Sequence, residues 1–110
     1  MPIAYKVLGQ SQPAATTLTT LYTVPASTSA VVSTINICNL QNNANTTVRI
    51  AVRPGGATIT NQHYIVYELP VPAADSVALT MGVTLAATDV VSVYSTSGSV
   101  SFALFGSEIT

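Results

Sequence analysis

At 110 residues the chain has the length of one domain and no room for a second hydrophobic core. Only 6% of its residues are charged and its formal net charge is -1, against roughly 25% charged residues in ordinary soluble domains. That balance excludes the basic stripe of a nucleic-acid binder and leaves little repulsion between copies. The single cysteine excludes an intramolecular disulfide, and every apolar run falls short of the ~18 residues of a membrane span.

Residues 1–13 stand apart. Tyr5 and Val7 alternate with Lys6, and Gly9-Gln10-Ser11-Gln12-Pro13 then breaks the run. The segment is expected either as an extended arm that adds a strand to a neighbouring subunit's sheet edge or as the first edge strand of the domain formed by residues 14–110. The opening Met1-Pro2-Ile3-Ala4-Tyr5-Lys6 lacks a charged stretch followed by an apolar one, so no secretory signal is expected, and synthesis in a reducing cytoplasm is.

Strand-favouring runs follow at 4–9, 16–24 and 30–39, the last containing Cys38, expected as a small buried or half-buried side chain. Val48, Ile50 and Val52 then alternate with Thr47, Arg49, Ala51 and Arg53, the signature of a strand with one face buried. After a further run at 62–69, Val77, Leu79, Met81, Val83 and Leu85 repeat the pattern. The run 89–95 comes next, and Val100, Phe102 and Leu104 close the series.

Gln41-Asn42-Asn43-Ala44-Asn45, Pro54-Gly55-Gly56, Pro70-Val71-Pro72-Ala73-Ala74-Asp75, Ala86-Ala87-Thr88-Asp89 and Ser95-Thr96-Ser97-Gly98 punctuate these runs as turns. The expectation is an all-β protein, an antiparallel β-sandwich of jelly-roll or Greek-key type with about eight strands. Val24-Pro25-Ala26-Ser27-Thr28-Ser29 and Val71-Pro72-Ala73-Ala74-Asp75-Ser76 echo each other, which predicts matching corners in two halves.

Chemistry-bearing residues are few. The lone histidine, His63, lies in the strand-like Gln62-His63-Tyr64-Ile65-Val66-Tyr67, where an exposed strand position is expected, and no serine occupies a Gly-x-Ser-x-Gly elbow. Asp75 and Asp89 stand at strand-entry turns, where an aspartate caps backbone N–H groups more readily than it transfers protons. His63, Cys38 and the acids show no metal-ligand spacing, and Pro54-Gly55-Gly56 lacks the ending of a phosphate loop. Neither an enzyme nor a cofactor is expected. Asn45-Thr46-Thr47 matches a glycosylation acceptor that a chain without a secretory signal never uses. Tyr5, Tyr22, Tyr64, Tyr67 and Tyr94 offer a stacking platform for sugars or bases, but tyrosines favour strands and subunit interfaces, so an interface or core place is expected; the interface candidates are Ile3, Tyr5, Val7, Tyr22, Tyr64 and Tyr67.

The order of segments resembles a family of short bacteriophage and cyanophage virion proteins across nearly the whole chain. The residues that carry the resemblance are Val7-Leu8-Gly9-Gln10-Ser11, the stretch from Pro13 to Ala26, Ser29-Ala30-Val31-Val32-Ser33-Thr34, Arg49-Ile50-Ala51-Val52-Arg53 and His63-Tyr64-Ile65, with Gly82 to Val91 and Leu104 to Ile109 at the end. The resemblance implies a structural part of a phage particle and carries over no catalytic residue. The preferred position is a capsid decoration, or cement, protein on the outer surface of the virion. There it would form a homotrimer over junctions of the major capsid protein, with no nucleic-acid or membrane partner. The alternative is a domain of the tail, baseplate or fibre that anchors a fibre or binds a host glycan.

Overall fold

The protein is described here by a computed structural model of residues 3–110; the first two residues of the expected arm lie outside the described residues. Eight strands follow in order: β1 (Ile3–Ser11), β2 (Thr19–Thr23), β3 (Ser29–Asn39), β4 (Thr46–Arg53), β5 (Tyr64–Val71), β6 (Ser76–Leu85), β7 (Val90–Ser95) and β8 (Val100–Ile109). They form two four-stranded sheets, a front sheet ordered β1-β8-β3-β6 and a back sheet ordered β2-β7-β4-β5. All neighbours are antiparallel.

This is the jelly-roll arrangement, in which a long hairpin pairing β1 with β8, β2 with β7, β3 with β6 and β4 with β5 is rolled so that β8 also meets β3 and β7 meets β4. Every connection except β4 to β5 crosses between the sheets. The two inner faces meet in a core of Ile35, Ile37, Val48, Ile50, Val91, Val93, Phe102 and Leu104, each at most 2% exposed.

Period-two alternation produces this core because successive strand side chains point to opposite faces. In β3, Ile35 and Ile37 face inward while Thr34, Asn36 and Cys38 are half-buried on the other side. In β6, Val77, Leu79 and Val83 are only half-buried, because this strand lies at a sheet edge. One transverse line of irregularity interrupts the front sheet, with an extra residue at Leu8 in β1 and at Ser33 in β3, and a shift between Thr80 and Val83 in β6. A slip confined to one strand would turn its apolar set outward. Shifts along the same line in adjacent strands keep the faces in phase.

The echoed segments do occupy equivalent places. Each carries the chain from the back sheet to the front sheet, with buried Val24 or Val71 leading in and Ser27 (φ 57) or Ala74 (φ 56) in the left-handed region. Asn39, 2% exposed, ties one corner together: its Nδ2 donates to the carbonyl oxygens of Ala44 at 3.0 Å and Val71 at 3.2 Å, and its Oδ1 accepts the Gln41 N–H at 3.0 Å. Pro54–Gly56 forms a 3-10 turn in which Gly55 (φ 62) and Gly56 (φ 73) adopt angles that side chains resist.

Several boundaries differ from the sequence expectation. β1 runs on through Gly9, Gln10 and Ser11, the expected break, and β2 begins at Thr19 rather than Thr16. Asn61–His63 is a 3-10 turn rather than strand, because the Thr60 N–H donates to His63 Nδ1 at 3.0 Å and the His63 N–H donates back to the Thr60 carbonyl at 3.1 Å. β5 continues through Pro70, which an edge strand tolerates where its missing N–H faces away from the ladder. β8 extends past Leu104 to Ile109 because β1 and β3 flank it on both sides.

Candidate functional site

The charged residues are distributed unevenly over the sandwich. Arg49, Arg53 and Glu68 belong to the outer side of the back sheet, Asp75 and Asp89 sit in the corners, and Lys6 and Glu108 pair on the inward side of the front sheet. The outer face of the front sheet therefore carries no charge among the described residues. It presents Ile3, Tyr5 and Val7 from β1, Phe105 and Ala103 from β8, Val31, Asn36 and Cys38 from β3, and Ala78 and Thr80 from β6.

One end of that face is apolar. Ile3 is 52% exposed, Tyr5 84% and Val7 48%. The β1 to β8 and β8 to β3 registers set Tyr5 beside Ser107 and Val31, and Val7 beside Phe105. A shallow cavity of about 350 Å³ opens there, lined by Tyr5, Val31, Ser33, Phe105 and Ser107, with Lys6 at its rim. Sequence reasoning missed Val31, Phe105 and Ile109 as members of this patch. Phe105, Ser107 and Ile109 do alternate in sequence, but only the register shows that they share a face with Tyr5.

Tyr22 corrects an expectation. It is 8% exposed and packs in the core, so it is not an interface residue of the folded domain. The register of β2 on β7 shifts between Thr20 and Tyr22, so both Leu21 and Tyr22 are buried where strict alternation would expose one. The Tyr22 hydroxyl donates to the Glu108 carboxylate, which also pairs with Lys6 Nζ at 2.6 Å. Burial, reinforced by the Glu108 hydrogen bond and charge, pushes the Tyr22 phenol well above its ordinary value. The Lys6 hydrogen bond, then the Tyr22 one, holds the Glu108 carboxyl below the usual carboxylate range.

The back sheet holds an ion pair and stacked aromatics on its outer side, and its edge strand β5 also exposes Ile65 (42%) beside Tyr67. The Arg49 guanidinium lies between the rings of Tyr67 and Tyr94, 4.5 and 4.4 Å from their centroids, and its Nε donates to Glu68 Oε1 at 2.7 Å. Hydrogen bonds from Thr47 and then Arg49 lower the Glu68 pKa. Tyr64 meets Tyr67 edge to face at 5.1 Å, and with Asn61 these two line a cavity of about 390 Å³. Of the interface candidates on this sheet, Tyr67 is 58% exposed and Tyr64 half-buried. Arg53 is spent on the Pro54–Gly56 turn, donating to the carbonyl oxygens of Ala57 at 2.7 Å and Gly56 at 3.1 Å and to Ser92 Oγ at 3.2 Å.

The residues considered for catalysis are scattered. His63, expected on a strand surface, is 8% exposed and holds the Asn61–His63 turn through Nδ1. Asp75 Oδ1 accepts the Ser76 N–H at 2.8 Å, and Asp89 accepts those of Gly55 and Ala86, both at 2.9 Å. No cluster of three or more His, Cys, Asp or Glu side chains is placed to hold a metal ion among the described residues. Cys38 is half-buried. The two surfaces that stand out are thus the uncharged front face and the tyrosine-lined hollow of the back sheet. No protein-family model matches this chain, and no curated protein matches it either.

Proposed function

We propose that this chain is a structural component of a phage particle, a capsid decoration protein that lies over junctions of the major capsid protein and stabilises the shell from outside. The observation that carries this reading is the uncharged outer face of the front sheet with Ile3, Tyr5 and Val7 exposed at one end. Depletion of charge and exposure of large apolar side chains are the marks of an interface core. The resemblance of the sequence to short virion proteins supports the same reading, although fold alone does not assign function.

The mechanism is contact and mass action. A protein that binds the assembled shell but not its separated subunits adds RT ln(1 + [L]/Kd) per site, about 2.7 kcal/mol at a hundredfold excess over Kd. Repeated at every junction, that increment opposes rupture of the shell. The reading assigns no catalytic role: His63 Nδ1 accepts the Thr60 N–H, Asp75 Oδ1 that of Ser76, and Asp89 those of Gly55 and Ala86. The protein is made in the cytoplasm of the bacterial host and acts on the virion surface as a homo-oligomer.

A second reading, a tail or fibre domain that binds a host glycan, draws on the hollow lined by Asn61, Tyr64 and Tyr67, since sugars stack on exposed aromatic rings beside amide groups. The two readings use opposite sheets. Ala78→Lys together with Thr80→Lys charges the exposed edge of the front face, and Thr20→Lys charges the back sheet as a control. Particle occupancy is expected to fall by about tenfold or more, ~1.4 kcal/mol, in the front-face variant and to hold in the control. Equal occupancy in all three proteins would remove the front face from the account.

A further inference from the structure

Tyr64 and Tyr67 are three residues apart in β5, and on a regular strand residues at that spacing point to opposite faces. Here they meet edge to face with ring centroids 5.1 Å apart. Two irregularities in the pairing with β4 bring them together. Val66 opposes Ile50 and Tyr64 opposes Ala51, so Ile65 is an extra residue that turns Tyr64 onto the outer face. Leu69 opposes Val48, so Tyr67 and Glu68 share the single partner Arg49, and Glu68 takes the left-handed φ of 56 at this second bulge. A side chain held in that region strains the backbone, and such strain gathers at ligand sites.

Neighbours fix the two rings. The Arg49 guanidinium lies 4.5 Å from the Tyr67 centroid and is itself held by Glu68 and by the ring of Tyr94. Tyr64 follows directly on the Asn61–His63 turn, and its N–H donates to the Asn61 carbonyl oxygen, which ties Asn61 to the same corner. Asn61, Tyr64 and Tyr67 line a cavity of about 390 Å³, within the ~300–1,000 Å³ of small-ligand sites.

The geometry points to this corner as a binding site for one uncharged pyranose ring. The C–H bonds on one side of a pyranose are weakly positive and stack on the negative face of an aromatic ring, while the hydroxyls at its rim reach an amide. Tyr67, 58% exposed, offers the platform, Tyr64 the side wall and Asn61 both donor and acceptor. Charge selects against ionic ligands. Arg49 is already neutralised by Glu68, so an acidic sugar finds no free cation there, and a quaternary ammonium meets a guanidinium on the ring it would need. Shape selects against planar bases, because rings inclined at 78° make a corner and not a slot with parallel walls. The proposal rests on the glycan reading of this hollow and gives it a ligand class. It leaves the front sheet free, so a chain docked through that face turns the corner outward.

Saturation-transfer difference NMR of the full chain tests it, with the methyl glycosides of glucose, galactose and mannose and with N-acetylglucosamine as neutral probes, against glucuronate, adenosine and tetramethylammonium. At least one neutral sugar is expected to bind with a Kd on the order of 1 mM, with transfer strongest to the C–H protons of one ring face. Tyr67→Phe should keep binding, since it keeps the ring face. Tyr67→Leu retains apolar bulk without that face and should weaken binding by about tenfold, as should Asn61→Ala; Tyr5→Ala on the front sheet should change nothing. Tyr67 and Asn61 are exposed, and urea transitions coincident with wild type will show that the variants fold. No transfer to any neutral probe overturns the proposal. So does tighter binding of glucuronate, adenosine or tetramethylammonium, or binding that survives Tyr67→Leu. Adsorption to host cells of particles that carry the protein is scored separately: sugar binding with adsorption unchanged by Tyr67→Leu would keep the site and remove the host-glycan role, whereas adsorption lost in Tyr67→Leu without binding of any probe would overturn the pyranose site and keep the hollow as a host contact.

Discussion

At Gly9 the front sheet approaches the back sheet through backbone, and a single methyl group there tests the packing of the sandwich. A Cβ on Gly9 would stand 2.3 Å from the Leu21 carbonyl oxygen and 3.2 Å from its carbon, so β1 and β2 must part by at least about 0.7 Å to reach the shortest contact real Cβ atoms make. The obstacle is backbone and cannot swing away. Leu21 and Tyr22, at 7% and 8% exposure, anchor that strand in the core, and β7 holds it from the side. Overpacking of this kind costs about 1–3 kcal/mol, offset by the 0.4–1 kcal/mol or so that a glycine-to-alanine change gains by restricting the unfolded chain. Gly9→Ala should thus lose about 1–2 kcal/mol of a total of ~5–15, lowering Tm by roughly 5–15 °C at about 4–8 °C per kcal/mol. In urea the midpoint should fall with an unchanged slope. Gly82→Ala is the control, since nothing lies within 4 Å of the Cβ it would add, and its effect should stay within about 0.5 kcal/mol. A Gly9→Ala midpoint equal to wild type, or an equal loss in both variants, would refute the close approach.

Ile37, 0% exposed between the sheets, should cost about 2–5 kcal/mol when cut to alanine, while Val77→Ala on the half-buried edge strand should cost clearly less; paired urea midpoints give the comparison. Acid tests the Lys6 and Glu108 pair. Because the folded Glu108 pKa is depressed, its contribution is present above the ordinary carboxylate value of about 4.3 and disappears as pH falls through the depressed one. The stability gap between wild type and Glu108→Gln should therefore close between neutral and strongly acid pH; a constant gap would contradict the ion pair. Tyr22, with its phenol raised, works in the opposite sense: stability should decline as pH climbs above about 10, and Tyr22→Phe should flatten that decline.

Much of the architecture is legible in the sequence because it rests on the simplest signal. Val48, Ile50 and Val52 announce β4, and the run from Val77 to Leu85 announces β6, since a half-buried strand needs little more than alternation. What stays hidden depends on partners far along the chain. Nothing near Tyr5 shows that β1 lies against β8, or that Val31 and Phe105 complete its apolar patch. Tyr22 reads equally as interface or core until the shift in β2 turns it inward. His63 reads as strand because its neighbours Tyr64, Ile65 and Val66 favour one, while a reciprocal pair of hydrogen bonds with Thr60 makes a turn instead. The Val-Pro-Ala echo shows that some corners can be read directly, for both copies turn at the same point from the back sheet to the front.

The proposed place of this chain on a particle is tested most directly by counting it there. Quantitative mass spectrometry of purified phage particles from cells that make this protein, normalised to the major capsid protein, should return hundreds of copies per particle if the proposal holds. A handful of copies would move the domain to the tail or a fibre, and its absence from the virion would contradict the structural role altogether.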